Sequence, residues 1–195
     1  MLHSAALSSR GHKHGINQTG IIKYFYLFSR GMEIKDSITR VEKSDEFTYW
    51  FHEREDHFLA HVFRLLDKEN ENIWQVGYCN PANDCITTFF LEGDTITCAK
   101  EAEVLRKPST HLRRLDISAV SIGHEEALKA AEKRRAEKYP KESTLKSFFI
   151  LQDIGNGAIY NVTFFTSGFK AINIRVSAET GDIQSDQIAD FFKMG

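Results

Sequence analysis

The chain has 195 residues, which allows one or two domains of ordinary size. Its hydrophobic content of 42% and aromatic content of 12% can build packed cores, which excludes a disordered chain. A formal charge of −2 lacks the basic excess that general nucleic-acid binding requires, and no apolar stretch approaches the roughly 20 residues of a membrane-spanning helix.

Residues 1–31 show no sustained periodicity, and we expect them to form a flexible N-terminal arm. The apolar run at 21–28 is short, contains Lys23 and is not followed by a cleavage site of small residues. A cytoplasmic location is therefore the expectation, with export as the alternative. The regular pattern begins at Met32, which makes this residue a candidate natural start.

A first unit is predicted over 32–98. Apolar residues at helical spacing predict helices over 34–41 and 47–51, with Ser44 as the N-cap between them. The segment 58–66 fits either a helix or a buried strand, and its similarity to a later strand favours a strand. Turn-forming residues then separate three further predicted strands, at 73–79, 85–91 and 95–98.

Residues 99–120 are charged and mixed, and they are predicted to form a linker. A second unit follows over 121–195. It opens with Ser121, the expected N-cap of a helix that ends before Pro140. Strands are predicted next, at 145–152, 159–166 and 171–177, and a short closing helix is predicted at 185–194.

The second half repeats the pattern of the middle. An offset of 86 residues, from His61 to Ser147, aligns 61–76 with 147–162 without a gap. The identical pairs fall on strand and turn positions: Phe63/Phe149, Leu65/Leu151, Asp67/Asp153, Asn70/Asn156, Ile73/Ile159 and Val76/Val162. The sequence therefore predicts an α+β protein with two tandem units, each a helix packed on an antiparallel β-meander.

Three stretches of the second unit carry a resemblance to a known family. They are the helix start at 121–128, the central strand at 160–164 and the strand with its glycine turn at 172–183. Through them, residues 118–186 resemble the PepSY domain of peptidase propeptides and sporulation proteins, and the internal repeat extends the resemblance to the first unit. It implies two cystatin-like units, a binding role, restraint of a peptidase in some relatives, and no catalytic residues.

Histidines and cysteines are the candidate metal ligands in this sequence. His52, His57 and His61 lie close in sequence, but on a strand the last two would stand about 13 Å apart, too far for one ion. The cysteines lack the C-x-x-C spacing of zinc and redox sites: Cys79, Cys85 and Cys98. The first two flank a turn and could pair in an oxidising compartment, whereas we expect all three to be reduced.

No nucleophile–base pair, phosphate-binding loop or metal-ligand set is evident, so we expect no catalytic, cofactor-binding or metal-binding residues and no enzymatic activity. The expected function is a protein-binding or regulatory module. Its partner would be a protein or peptide, with a peptidase as one candidate, and not a nucleic acid. The expected contact sites are two sheet edges, formed by the strand at 95–98 and by the segment after Gly181.

Two alternatives from other classes stay open. One is a small-molecule-binding protein or enzyme with a pocket between helix and sheet or between the two units. This alternative is favoured if a cavity collects polar side chains such as those of His61, Asn161 and Arg175. The other is a structural protein that associates with itself, so that its sheets pair across a homodimer.

Overall fold

The computed structural model describes residues 32–67, 70, 73–99, 101–102 and 112–190. Its helices are α1 (Ile34–Glu42), α2 (Asp45–Phe51) and α3 (His124–Lys138), with a 3₁₀ turn at Ile117–Ala119. Its strands are β1 (Phe58–Leu65), β2 (Ile73–Cys79), β3 (Ile86–Glu92), β4 (Thr95–Cys98), β5 (Thr144–Asp153), β6 (Ala158–Thr166), β7 (Lys170–Ser177) and β8 (Ile183–Asp190). The predicted arm at 1–31 and the middle of the predicted linker lie outside the described residues.

All eight strands belong to one antiparallel sheet with the order β4-β3-β2-β1-β5-β6-β7-β8. The two meanders are joined edge to edge by β1 and β5, where Val62 lies opposite Leu151. The predicted fold of two tandem cystatin-like or PepSY-like units, each with a helix on its own meander, is therefore wrong. The chain has a sheet-dominated fold with three described helices. Pairing of β1 with β5 satisfies backbone groups that two separate sheets would leave exposed at their edges.

The three described helices pack against one face of this sheet, which we call the helix face. In α1, residues Ile34, Ile38 and Val41 recur at helical spacing and are buried. In α3, Ala127 and Ala131 are fully buried, because small side chains allow this helix to lie close to β7. The largest buried side chains of the sheet meet these helices: Trp74, Phe89, Leu91, Phe149, Leu151 and Tyr160.

Side chains that alternate with these point to the opposite face, which we call the second face and which no described helix covers. A row of half-buried aromatic rings crosses it from β1 through β5 to β6. The ring centroids of Phe63 and Phe148 are 5.3 Å apart, and those of Phe148 and Phe165 are 5.7 Å apart. The second face is therefore partly apolar, with polar residues around this row.

Some local sequence signals agree with the structure and others do not. The strand predicted at 58–66 is present as β1, and the Ser44 hydroxyl accepts a hydrogen bond from Phe47 N–H (3.1 Å) as the N-cap of α2. Ser121 does not cap α3, because this helix begins at His124 and its N-cap residue is Gly123. The Ser121 N–H donates to the Ala178 carbonyl (2.9 Å).

The predicted closing helix at 185–194 is also wrong for its described part. Residues Ile183–Asp190 form β8, and residues 191–195 lie outside the described residues. Pairing with β7 over the length of the strand satisfies backbone groups of this segment, and this outweighs a local apolar spacing that suits a helix.

Candidate functional site

The two ends of the sheet are β4 and β8, so both segments predicted as edges do lie at edges. β4 has four residues, whereas β8 has eight. β8 pairs with β7 from Lys170 opposite Asp190 to Val176 opposite Ile183, with one irregularity around Gln184. No described strand pairs with the other side of β8, which we call its outer side.

Hydrogen bonds near the start of β8 show which residues of β7 direct their peptide groups towards β8. The Ser177 N–H donates to the Asp182 carbonyl (2.9 Å), and the next residue, Ala178, donates to the Ala158 carbonyl on the β6 side (3.0 Å). Peptide groups of alternate residues in an antiparallel strand point to opposite sides. The odd-numbered residues of β7 therefore direct their peptide groups towards β8.

The register of β7 with β8 then identifies the backbone groups on the outer side. Ser185 and Gln187 lie opposite odd-numbered residues of β7 and exchange hydrogen bonds with them. The residues between and beside them, Asp186 and Ile188, consequently direct their N–H and carbonyl groups away from the sheet. This is the arrangement that an added strand requires.

The Asp186 side chain fixes β8 to α3. Its carboxylate accepts hydrogen bonds from Arg134 (2.8 Å at Nε), from the Tyr139 hydroxyl (2.7 Å) and from the Lys138 ammonium group, and the side chain is only 4% exposed. These hydrogen bonds, that of Lys138 first, hold the pKa of Asp186 well below its ordinary value. Burial and the hydrogen bond to Asp186 raise the pKa of Tyr139 to about 12. β8 is thus held in place by two side chains of α3 and by that of Tyr139, the C-cap residue of this helix.

A second ion pair lies beside the C-terminal end of β8. The Lys170 ammonium group donates to Glu142 (2.5 Å), and Lys170 lies opposite Asp190 in the sheet. The hydrogen bond to Glu142, and secondarily the charges of Glu142 and Asp190, raise the pKa of Lys170. Between the two charged ends, the Ile188 side chain is 40% exposed.

The polar residues singled out from the sequence all lie on the second face. Asn161 and Arg175 are direct partners across β6 and β7, and His61 lies opposite Gly77 and Gln152. Asn161 Oδ1 and Arg175 Nε are buried without a hydrogen-bond partner. Four cavities lie elsewhere on the described part of the chain, and none of these four contains any of the three side chains.

His61 makes a close backbone contact. Its ring lies directly on Gly77, where an added Cβ would stand 2.3 Å from His61 Cε1. Glycine permits this approach because it has no side chain. Burial lowers the pKa of His61 to about 4, so the ring is neutral at physiological pH.

The other candidate ligands are dispersed. His57 is buried, with Nδ1 2.9 Å from Asp56 Oδ1 and its ring edge-on to Trp50, whereas His52 is exposed. No group of three or more described His, Cys, Asp or Glu residues could hold a metal ion. The cysteines are thiols: Cys79 is buried, Cys85 is half-buried and Cys98 is exposed.

Sequence reasoning missed a buried polar cluster on the helix face. Arg64 Nη1 lies 3.3 Å from His124 Nε2, and its guanidinium stands 4.7 Å from the centre of the Trp74 ring. Because arginine only donates, Nε2 accepts and Nδ1 carries the proton. Nδ1 points towards Glu33 Oε2 at 3.8 Å and has no hydrogen-bond partner. Burial, and then the Arg64 charge, lower the pKa of His124 to about 4.

No family model matches this chain, and no curated protein matches it. A solved structure does share its fold: the crystal structure of a "putative lipoprotein" from Clostridium difficile 630. The TM-score is 0.52 at 12% sequence identity, and the match covers 84% of this chain and 98% of that one. At this identity the likeness shows the fold alone, and membership of the PepSY family is not shown.

The description of that neighbour names a lipoprotein and no enzymatic activity. Among the described helices, none is long and apolar enough to cross a membrane. The expected cytoplasmic location finds no support in these observations.

Proposed function

We propose that this chain is a non-catalytic protein-binding module that adds an extended strand of a partner protein to the outer side of β8. The observation that supports it best is the outward direction of the Asp186 and Ile188 peptide groups on an eight-residue end strand. Main-chain hydrogen bonds would supply affinity, and side chains on alternate positions would supply selectivity.

β8 suits this role better than β4 does, because β8 has eight residues and β4 has four. A longer edge offers more backbone groups to a partner. The Asp186 contacts with α3 also hold β8 in an extended form before binding, which reduces the entropy lost on association. The charged Asp186 side chain faces α3 and does not obstruct the outer side.

The resemblance of residues 118–186 to PepSY domains supports a peptidase as the first partner to examine, with restraint of its activity as the regulatory consequence. A strand paired with β8 would keep a peptidase segment extended and inaccessible.

The test is capture from a native lysate by the immobilised full-length chain, with peptidases scored explicitly. Two variants of one residue separate backbone pairing from side-chain contact. Ile188→Pro removes the outward N–H, whereas Ile188→Ala keeps it and removes most of the exposed side chain. We expect captured partners to be retained by Ile188→Ala and lost with Ile188→Pro, while circular dichroism shows that both variants are folded. Equal capture by the two folded variants would contradict strand addition at β8.

A further inference from the structure

The turn between β5 and β6 contains an asparagine followed by a glycine. Residues 154–157 connect Asp153 to Ala158, which lie opposite each other in the sheet. Asn156 and Gly157 are both exposed, and the sequence has no other Asn-Gly pair. A side-chain amide at such a pair can react with the main chain, because glycine has no side chain that hinders its nitrogen.

We propose that Asn156 is a site of spontaneous deamidation in the folded protein. The Gly157 nitrogen loses its proton to water and attacks Cγ of Asn156. A bond forms between this nitrogen and Cγ, the Cγ–Nδ2 bond breaks, and ammonia leaves from a cyclic succinimide. Water then opens the ring at one of its two carbonyl carbons, which gives aspartate or isoaspartate. Water is the only co-reactant, and no oxidant or reductant takes part.

The attacking nitrogen is not held by the sheet. Gly157 precedes Ala158, the first residue of β6, and its N–H forms no hydrogen bond with any residue that the structure describes. By contrast, the Gly155 N–H donates to Asp153 Oδ1 (2.5 Å). A donated hydrogen bond would have to break before the nitrogen could lose its proton. At Gly157 this cost is absent.

The surroundings of the turn leave room for the ring to close. A Cβ added at Gly157 would meet no other atom within 4 Å, and Asn156 is exposed. Glycines flank the asparagine on both sides, with φ angles of +109° at Gly155 and +93° at Gly157. Glycine has the widest range of backbone conformations of any residue. The turn can therefore rotate into the geometry of the succinimide without displacing a packed side chain.

The corresponding turn of the first half lacks these properties. In the internal repeat Asn70 corresponds to Asn156, but it is followed by Glu71 and not by glycine. The Asn70 side-chain amide donates to Asp67 Oδ1 (2.7 Å), and the same oxygen accepts from the Asn70 N–H (2.9 Å). These hydrogen bonds hold the amide away from the following nitrogen. Asn70 is therefore an internal control for Asn156.

The product adds a carboxylate beside a cation. A Cβ added at Gly155 would stand 3.4 Å from Arg113 Nε, so the guanidinium of Arg113 lies next to the turn. Isoaspartate also lengthens the main chain by one methylene group, in the exposed connection between β5 and β6. Because the change is confined to this turn, we expect the modified chain to stay folded. The protein would thus acquire a more acidic form with age.

Peptide mapping of the full chain tests the site. The chain is incubated in mildly alkaline buffer, folded or unfolded in urea. Trypsin then releases residues 147–170 as one peptide that contains Asn156 and Asn161, and tandem mass spectrometry shows which of them has exchanged NH₃ for H₂O. In the folded chain we expect Asn156 to convert within about tenfold of its rate in urea, and Asn70 and the strand residue Asn161 to convert at least about tenfold more slowly than Asn156.

A methyl-transfer assay identifies the isoaspartate. An isoaspartyl carboxyl methyltransferase transfers a methyl group from S-adenosylmethionine to this residue and not to aspartate. We expect the folded wild type to become a methyl acceptor during incubation. Asn156→Gln should remain a poor acceptor, since the longer side chain would have to close a larger and less favourable ring. Asn70→Gln is the matched control and should accept as much methyl as the wild type, while circular dichroism shows that all three proteins are folded.

Two results would overturn the proposal. One is an Asn156 that stays intact in the folded chain while it converts in urea, because the native turn would then keep the amide unreactive. The other is conversion of Asn70 and Asn161 in the folded chain at the rate of Asn156, because the turn would then confer no selectivity. Neither result affects strand addition at β8, which does not involve this turn.

Discussion

Asp186 is a nearly buried carboxylate on an end strand, where most charged side chains face water. Asp186→Asn keeps the shape but removes the charge that Arg134, Lys138 and Tyr139 contact. We expect the free energy of unfolding at pH 7 to fall by about 2–3 kcal/mol, the usual range for charge-assisted hydrogen bonds with little solvent access. Urea denaturation measures this change.

The lowered pKa of Asp186 determines how the stability difference between the wild type and Asp186→Asn depends on pH. A carboxylate whose folded pKa lies below its ordinary 3.8 stabilises the fold above that value and loses this contribution as the pH falls through the folded pKa. The difference between wild type and Asp186→Asn should therefore be full at pH 7 and shrink below about pH 4. Asp94→Asn is the control: Asp94 is fully exposed in its pair with Arg40 (2.7 Å), and the substitution should change the free energy of unfolding much less than Asp186→Asn does. Equal costs at Asp94 and Asp186 would contradict the role of the Asp186 cluster.

His124 also makes the fold less stable in acid, over a higher pH range than Asp186 does. The group has a folded pKa of about 4 against an ordinary value of 6.5, so the unfolded chain binds more protons between these values. Stability must therefore fall as the pH falls from 6.5 towards 4, by about 2 kcal/mol between pH 6.5 and 5 for one such group. His61 acts in the same direction with the same folded pKa.

The double variant His61→Gln/His124→Gln tests this contribution by denaturation at pH 7 and pH 5. Its stability should change much less between the two pH values than that of the wild type, although its stability at pH 7 is lower because two packed rings are lost. Charged groups around His124, namely Arg64, Glu33 and Glu125, are unchanged in the variant. An unaltered pH response would show that neither histidine is held neutral by burial.

At the scale of single elements, most strands could be predicted from the sequence, because the signals for a strand and for the turns that bound it are local. Alternation of apolar and polar residues predicts which side of β7 is buried, and Ile172, Ile174 and Val176 are fully buried. Turn residues mark the ends of β2, β3 and β4 for the same reason. The edge position of β4 was also predicted, and so was that of the segment after Gly181, although most of that segment was expected to be a helix.

Other features could not be predicted because they depend on contacts between distant segments. The helix expected at 185–194 relied on local spacing, whereas pairing with β7 decides the conformation of β8. The Asp186 cluster joins residues 48 positions apart, and the cluster of Arg64 with His124 joins residues 60 positions apart. Neither cluster corresponds to a sequence motif, because each forms only when α3 packs against the sheet.

At the scale of the molecule, the junction of β1 and β5 decides whether the halves are separate units or one. An internal repeat records the order of elements along the chain and does not state which edges pair, so the sequence was compatible with two sheets. In the structure, Trp74 of the first half packs on His124 and Phe149 of the second. The helix face is consequently one continuous core.

One core and one sheet should unfold as one cooperative unit. Thiol labelling during urea titration can follow each half: Cys79 is fully buried in β2, and Val162→Cys places a thiol at a fully buried position of β6. With Cys85→Ser and Cys98→Ser in the background, we expect both thiols to report the same free energy of opening. Leu151→Ala, which removes a buried side chain opposite Val62 at the junction, should lower both values equally, by about 2–5 kcal/mol. Loss of protection in β6 alone would mean that the halves unfold independently despite their shared sheet.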